Sequence, residues 1–222
     1  MLDALSETLP LAAAIAFSPL AIASVVLMLL SQNARAATVG YLVGFAGGVG
    51  LVAAITYALA LLLPHGADDR SLSAPFLFMG LGAVAIVLAI RQWRARPADG
   101  DELEVPGWMA KVDGMNPGKA IVLGAFFGGV KPKNLLLSIA LGVALEATDA
   151  TVGEAAGALG IVLLLGSLPI IVPVLIAFVG GAGVRDRLDR LRAWMIANNP
   201  AIVGSVLLLI GVVLIAKGLS SV

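Results

Sequence analysis

Long apolar runs separated by short polar breaks dominate the chain, at 8–30, 37–63, 74–91, 119–145, 152–182 and 199–219. A helix that crosses a bilayer needs about 20 mainly apolar residues, and these runs meet or approach that length. None shows the period-two alternation over about ten residues that marks the strands of a membrane barrel. The pattern therefore predicts an all-α integral membrane protein with six transmembrane helices, forming a single transmembrane domain over residues 1–222. The stretch Met1–Thr8 carries Asp3 and Glu7 but no Lys or Arg, so the positive n-region of a cleavable signal peptide is missing. The first run is expected to stay in the mature protein.

Composition agrees with the pattern and removes several functions. Apolar residues make up 60% of the chain and charged residues 13%, about half the charged fraction of a soluble domain. Fourteen basic residues balance fourteen acidic ones, which leaves no basic surplus to displace counterions from nucleic acid. With no cysteine and one histidine, no disulfide frame or Cys/His metal cluster can form. No cofactor and no metal are expected. His65, Asp68-Asp69 and Asp99-Gly100-Asp101-Glu102 fall between apolar runs and are read as solvated loop charge. No His or carboxylate stands in the middle of a span, the nearest acids, Glu146, Asp149 and Glu154, belonging to the outer end of the fourth and fifth, so no catalytic set is evident and the chain is not expected to be an enzyme.

Basic residues prefer cytoplasmic loops. With the N-terminus outside, the inner segments collect Arg35, Arg91, Arg94, Arg96, Lys111, Lys119, Arg185, Arg187, Arg190 and Arg192, and the outer ones only Arg70 and Lys217. The expectation is a multi-pass protein of the cell (cytoplasmic) membrane with both termini outside. Trp93, Trp108 and Trp194 lie in or beside the inner segments, at the headgroup level that suits an indole. Val184, Leu188, Leu191 and Met195 recur at helical spacing among arginines, which predicts a stretch lying along the inner membrane surface.

A shift of 113 residues superposes Ala37-Thr38-Val39-Gly40, Gly44 and Gly47 on Ala150-Thr151-Val152-Gly153, Gly157 and Gly160, and Pro19 on Pro132. This predicts a duplication: a first repeat over 1–91, a cytoplasmic loop over 92–118 and a second repeat over 119–222. Three spans per half is an odd number, so the halves must be inverted relative to each other, as in secondary transporters whose site lies near the midplane between repeats. Gly40, Gly44, Gly153 and Gly157, at four-residue spacing, are expected to let helices pack closely. Pro19 and Pro132 stand near mid-depth of the first and fourth spans, where proline deletes a donor and clashes with the preceding turn. Each of those spans is expected to kink or break there, with proline in the first position of a new half-helix.

Lys131 and Lys133 flank Pro132. Two lysines at the centre of a span carry an insertion penalty of about 5–7 kcal/mol, against about 4–8 kcal/mol returned by the span's Leu, Ile, Val and Phe residues. They lie roughly 17 Å from either end at 1.5 Å per residue, too far for easy snorkelling. No carboxylate stands at mid-depth to pair with them. The half-helix starting at Pro132 turns its positive end toward them, a place that welcomes an anion. The expected partner is an anionic group of a cargo. Neutralising either lysine is then expected to leave stability unchanged or raised.

The run Lys131-Pro132-Lys133-Asn134-Leu135-Leu136-Leu137, the upstream Pro106-Gly107-Trp108-Met109 and Asp113, Ser18-Pro19, and Leu191-Arg192-Ala193-Trp194-Met195 with Asn198-Asn199 together resemble the peptidoglycolipid-addressing (GAP) family of the lysine exporter (LysE) superfamily. The resemblance covers essentially the whole chain. It implies a transporter or flippase moving an anionic amphiphile, a glycolipid or lipid-linked saccharide, across the bacterial cytoplasmic membrane. The alternative within the superfamily is an exporter of a small polar solute such as an amino acid. Ser18, Pro19, Pro132, Lys133 and Asn134 match the family's motif. Lys131 stands where the family usually shows asparagine, so its role rests on the charge argument alone. The expected substrate-binding residues are Lys131, Lys133, Asn134 and Ser18, and the expected partners are the anionic lipid or glycolipid substrate and membrane lipids. A homodimer is compatible with the sequence, and no nucleic acid partner is expected.

Overall fold

The computed structural model describes residues 1–29, 34–62, 70–95, 115–148, 150–179 and 183–220. The sequence features at His65, Asp68-Asp69, Asp99–Glu102, Pro106–Met109, Lys111 and Asp113 lie outside the described residues. Among the described residues the chain is helical without strands: α1 Leu2–Ala16, α2 Pro19–Leu29, α3 Ala34–Leu62, α4 Arg70–Arg94, α5 Pro117–Ala125, a π turn at Phe126–Val130, α6 Pro132–Glu146, α7 Val152–Val179 and α8 Gly183–Ser220. Four helices hold stretches long and apolar enough to cross a membrane. Two bent pairs, α1 with α2 at 54° and α5 through the π turn with α6 at 65°, raise the number of candidate spans to as many as six. Exposed residues on the long helices are largely apolar, among them Val43, Leu51, Leu59, Val84, Val87, Leu164 and Leu209. Apolar faces turned outward on helices of this length are compatible with a multi-pass membrane protein.

Both bends fall at proline. α2 opens at Pro19 and α6 at Pro132, the first-turn position that tolerates a missing N–H and a fixed φ. Proline alone does not break a helix here, because Pro10, Pro75, Pro169, Pro173 and Pro200 all lie inside continuous helices. α5 begins more simply, with Asn116 capping through its side chain, which accepts from the Lys119 amide at 2.8 Å, and Pro117 following. This pairing of cap and N1 proline is a strong helix start.

The packing exchanges partners between the halves. α3 of the first half packs along α5, the π turn and α6, whereas α7 of the second half packs along α1 and α2, and α4 pairs with α8. The core sits where these meet, around Ile15, Met28, Tyr41, Phe45, Leu137, Leu141 and Leu145. α6 is buried on nearly all sides, as expected of a helix apolar all round.

The contact of α3 with α5 and the π turn is backbone on backbone. A Cβ on Gly44 would stand 2.0 Å from the Ile121 carbonyl oxygen, one on Gly124 2.1 Å from that of Tyr41, and one on Gly128 2.2 Å from that of Phe45. Gly40 is also closed off, 2.7 Å from the Pro117 carbonyl. The matching glycines of the second half behave differently. Among the described residues nothing lies within 4 Å of a Cβ on Gly153, and Gly157 would meet only Met1 Sδ, at 3.8 Å. Gly153 and Gly157 are therefore not close-packing positions, because α7 turns a different face to its neighbours. There Gly166 is the tight one, 3.0 Å from Ile15.

The arginine-rich stretch before the last span also departs from expectation. It is the first part of one continuous helix, α8, rather than a separate surface helix. Leu188 is buried and Met195 packs against the core, so at these two positions its apolar stripe is covered by protein.

Candidate functional site

Breaking a helix strands carbonyls at the end of one half and amides at the start of the next. At the α1–α2 break every carbonyl from Ala13 to Phe17 is taken. The Phe17 amide donates to Ala13 O at 3.2 Å and the Ser18 amide to Ala16 O at 2.8 Å. Ser18 Oγ donates to Ile15 O at 2.8 Å. The remaining two, Ala14 O and Phe17 O, accept from Lys133 Nζ at 2.7 and 2.9 Å. A cation at the carbonyl end of a helix is electrostatically favoured, so Lys133 joins α6 to the end of α1.

This corrects one expectation. Lys133 does have protein partners, and they are backbone carbonyls rather than carboxylates. Carbonyls freed by a proline break elsewhere in the chain are invisible to a search for acidic side chains.

Asn134 closes the second break. Its Nδ2 donates to Phe127 O at 2.8 Å, within the π turn, and its Oδ1 lies 3.3 Å from Ser18 Oγ. The π turn arises because the Lys131 amide bonds back to Phe126 O at 2.9 Å, and such bulges occur often at functional sites. Ser18, Lys133 and Asn134 are all buried, and together they tie the two breaks to each other.

Lys131 is placed differently. It is only partly buried, and its ammonium sits 4.7 Å from the centroid of the Phe127 ring. Phe127 is itself held between Phe126, edge-on at 5.9 Å, and Tyr41 at 6.3 Å. Among the described residues no carboxylate pairs with Lys131. A cation over an aromatic face keeps most of its charge available to a further partner.

These residues line one cavity of about 170 Å³. Ser18, Pro19, Leu20 and Ala21 bring the amide end of α2 to it, and Lys131, Pro132, Lys133 and Asn134 bring the amide end of α6. First-turn amides have no acceptor within their own helix, and they carry the positive end of the helix dipole. Two such ends and the Lys131 ammonium therefore converge on a space that holds no carboxylate. The opposite wall is Leu88 and Gln92 of α4 with Asn199, Val203 and Leu207 of α8, apolar except for the two amides. Among the described residues Asn199 Oδ1 is buried without a hydrogen-bond partner, an acceptor open to a donor.

All four residues expected from sequence to bind substrate thus lie in one place, with Pro19 and Pro132 between them. Gly40 and Gly44 hold the α3 side of the frame, and Gly153 and Gly157 lie away from the cavity. Sequence reasoning did not place Phe127, Gln92 or Asn199 in the site. The Phe126-Phe127-Gly128-Gly129 run ahead of Lys131 and the Asn198-Asn199-Pro200 run in the last span were the available signals.

The family described as Sap, sulfolipid-1-addressing protein, matches residues 8–220. No curated protein and no solved structure matches the chain.

Proposed function

The chain belongs to the sulfolipid-1-addressing protein family, and from that premise we propose that it moves an anionic amphiphile, of the sulfated glycolipid kind, across the bacterial cytoplasmic membrane. The observation that carries this reading is the convergence of two helix amide ends and Lys131 on one carboxylate-free cavity. A sulfate ester is a strong acceptor that stays charged at any physiological pH, and helix N-termini receive such groups readily. Lys131 supplies the net charge. Asn199 Oδ1 and Gln92 offer polar partners for the hydroxyls of a saccharide, and Leu88, Val203 and Leu207 give an apolar wall for a lipid chain.

In this reading the protein is a transporter rather than an enzyme, and both termini lie outside, as the bias of basic residues indicates. The exchange of packing partners between α3 and α7, and the paired breaks at Pro19 and Pro132, support two inverted repeats around a midplane site. Lys133 and Asn134 fix the geometry of the breaks, and Lys131 attracts the cargo.

The test is transbilayer movement of a fluorescent sulfated glycolipid in proteoliposomes. Wild-type protein should accelerate movement, and Lys131→Gln should cut that acceleration at least tenfold while the protein stays folded. Movement by Lys131→Gln at the wild-type rate would remove Lys131 from the mechanism. Export of a small solute predicts instead that an anionic amino acid competes with the glycolipid and that enlarging the apolar wall, as in Val203→Phe, is harmless.

A further inference from the structure

A second cavity, of about 190 Å³, lies toward the end of the bundle that holds Met1 and Ser220. It is bounded by the start of α1 and α4 and by the last turns of α6 and α8, through Leu11, Phe78, Ala144 and Ile210 among others. Its rim carries Glu7 and Lys217, whose side chains form an ion pair across α1 and α8. The Lys217 ammonium also sits 4.7 Å from the centroid of the Phe78 ring, so one side chain links α1, α4 and α8 at this mouth.

The two cavities follow the same helices. α4, α6 and α8 wall both of them, and on α8 the wall passes from Leu207 of the first to Ile210 of the second within one helical turn. Beside the first cavity Leu136 of α6 and Leu207 of α8 pack with Ala85 and Ala89 of α4 in an apolar cluster. Glu7 and Lys217 remain partly exposed, at 43% and 25% of their side-chain surface. An ion pair that water reaches holds weakly, which suits a contact that opens and closes.

We infer that the Glu7–Lys217 pair, seated on Phe78, is a latch over the second cavity, and that this cavity is the far-side stage of the route beginning at Lys131. The inference rests on the transport reading for the route and on the geometry alone for the latch.

The chain has no cysteine, so introduced cysteines report without background. In a Glu7→Cys, Lys217→Cys double variant, a short bis-methanethiosulfonate linker should lower movement of the fluorescent sulfated glycolipid at least tenfold, and reductant should restore it. Binding of the same lipid by the linked protein should be unchanged. Movement at the unlinked rate by fully linked protein would overturn the latch. A second measurement needs no transport. In an Ala144→Cys background, Lys217→Gln should raise the labelling rate by a membrane-impermeant maleimide at least fivefold, and an unchanged rate would also overturn it. If wild-type protein moves no lipid at all, the transport reading fails, and the labelling rates still decide whether the pair covers the cavity.

Discussion

The two broken helices share a proline, a bend and a place in the bundle, yet they are finished with different chemistry. Ser18 corresponds to Lys131, Leu20 to Lys133 and Ala21 to Asn134 under the 113-residue shift. The first break thus has one hydroxyl of its own, and it depends on Lys133 from the other half to satisfy Ala14 and Phe17. The second break carries its own amide in Asn134 and, in Lys131, a cation seated over the Phe127 ring with no carboxylate partner among the described residues. Both breaks fall at a proline and bend their helices, but the polar groups lie mainly on the second. The result is a cavity with two similar helix ends and a single charge to spare.

The glycines teach the same lesson from the packing side. Gly44 and Gly157 occupy equivalent places in sequence, but only Gly44 lies against a neighbouring backbone. The largest effect should therefore separate these positions. Gly44→Ala forces a Cβ to 2.0 Å from the Ile121 carbonyl, and because backbone cannot yield as a side chain can, it should lower stability by about 3 kcal/mol or more. Gly153→Ala, with open space around the new methyl, should stay within about 0.5 kcal/mol of wild type. Unfolding in detergent, followed by circular dichroism, measures both. Equal losses at the two positions would remove the distinction between α3 and α7.

A smaller effect separates the lysines. Lys133→Met leaves the carbonyls of Ala14 and Phe17 without their donor, and an unpaired buried carbonyl costs about 1–3 kcal/mol. Stability should fall, contrary to what the charge argument alone suggests. Lys131→Gln gives up only a cation–aromatic contact worth about 0.5–1 kcal/mol at a partly exposed site, and its midpoint should shift least. Unfolding midpoints of the two variants, compared in one detergent, check the order. A larger loss for Lys131→Gln would mean that the two residues have been assigned each other's roles.

Much of this arrangement is legible in the sequence. The apolar runs mark the helices, and the polar residues beside Pro19 and Pro132 distinguish those prolines from Pro169 and Pro173, which continue their helix. Ser18, Lys131, Lys133 and Asn134 stand out because polar groups are rare at such depth. What the sequence conceals is tertiary. The partner of Lys133 is main chain 119 residues away, and carbonyls carry no residue signature. The π turn depends on a shift in backbone bonding at Phe126, and the clasp of α3 on α5 depends on which glycines face each other. Equal glycine spacing in α7 gives no such contact. The run from Gly183 into the last span reads as two segments from charge alone, yet it forms one helix in which Leu188 is buried.

The central claim is that the cavity at the paired breaks holds an anion through Lys131 and two helix ends. The direct measurement is equilibrium binding by purified protein of a sulfated glycolipid and of the same glycolipid without its sulfate, in wild type and in Lys131→Gln. Wild type should bind the sulfated form at least tenfold more tightly, and Lys131→Gln should erase most of that preference while binding the uncharged form as before. No preference in wild type, or a full preference retained in Lys131→Gln, would contradict the claim.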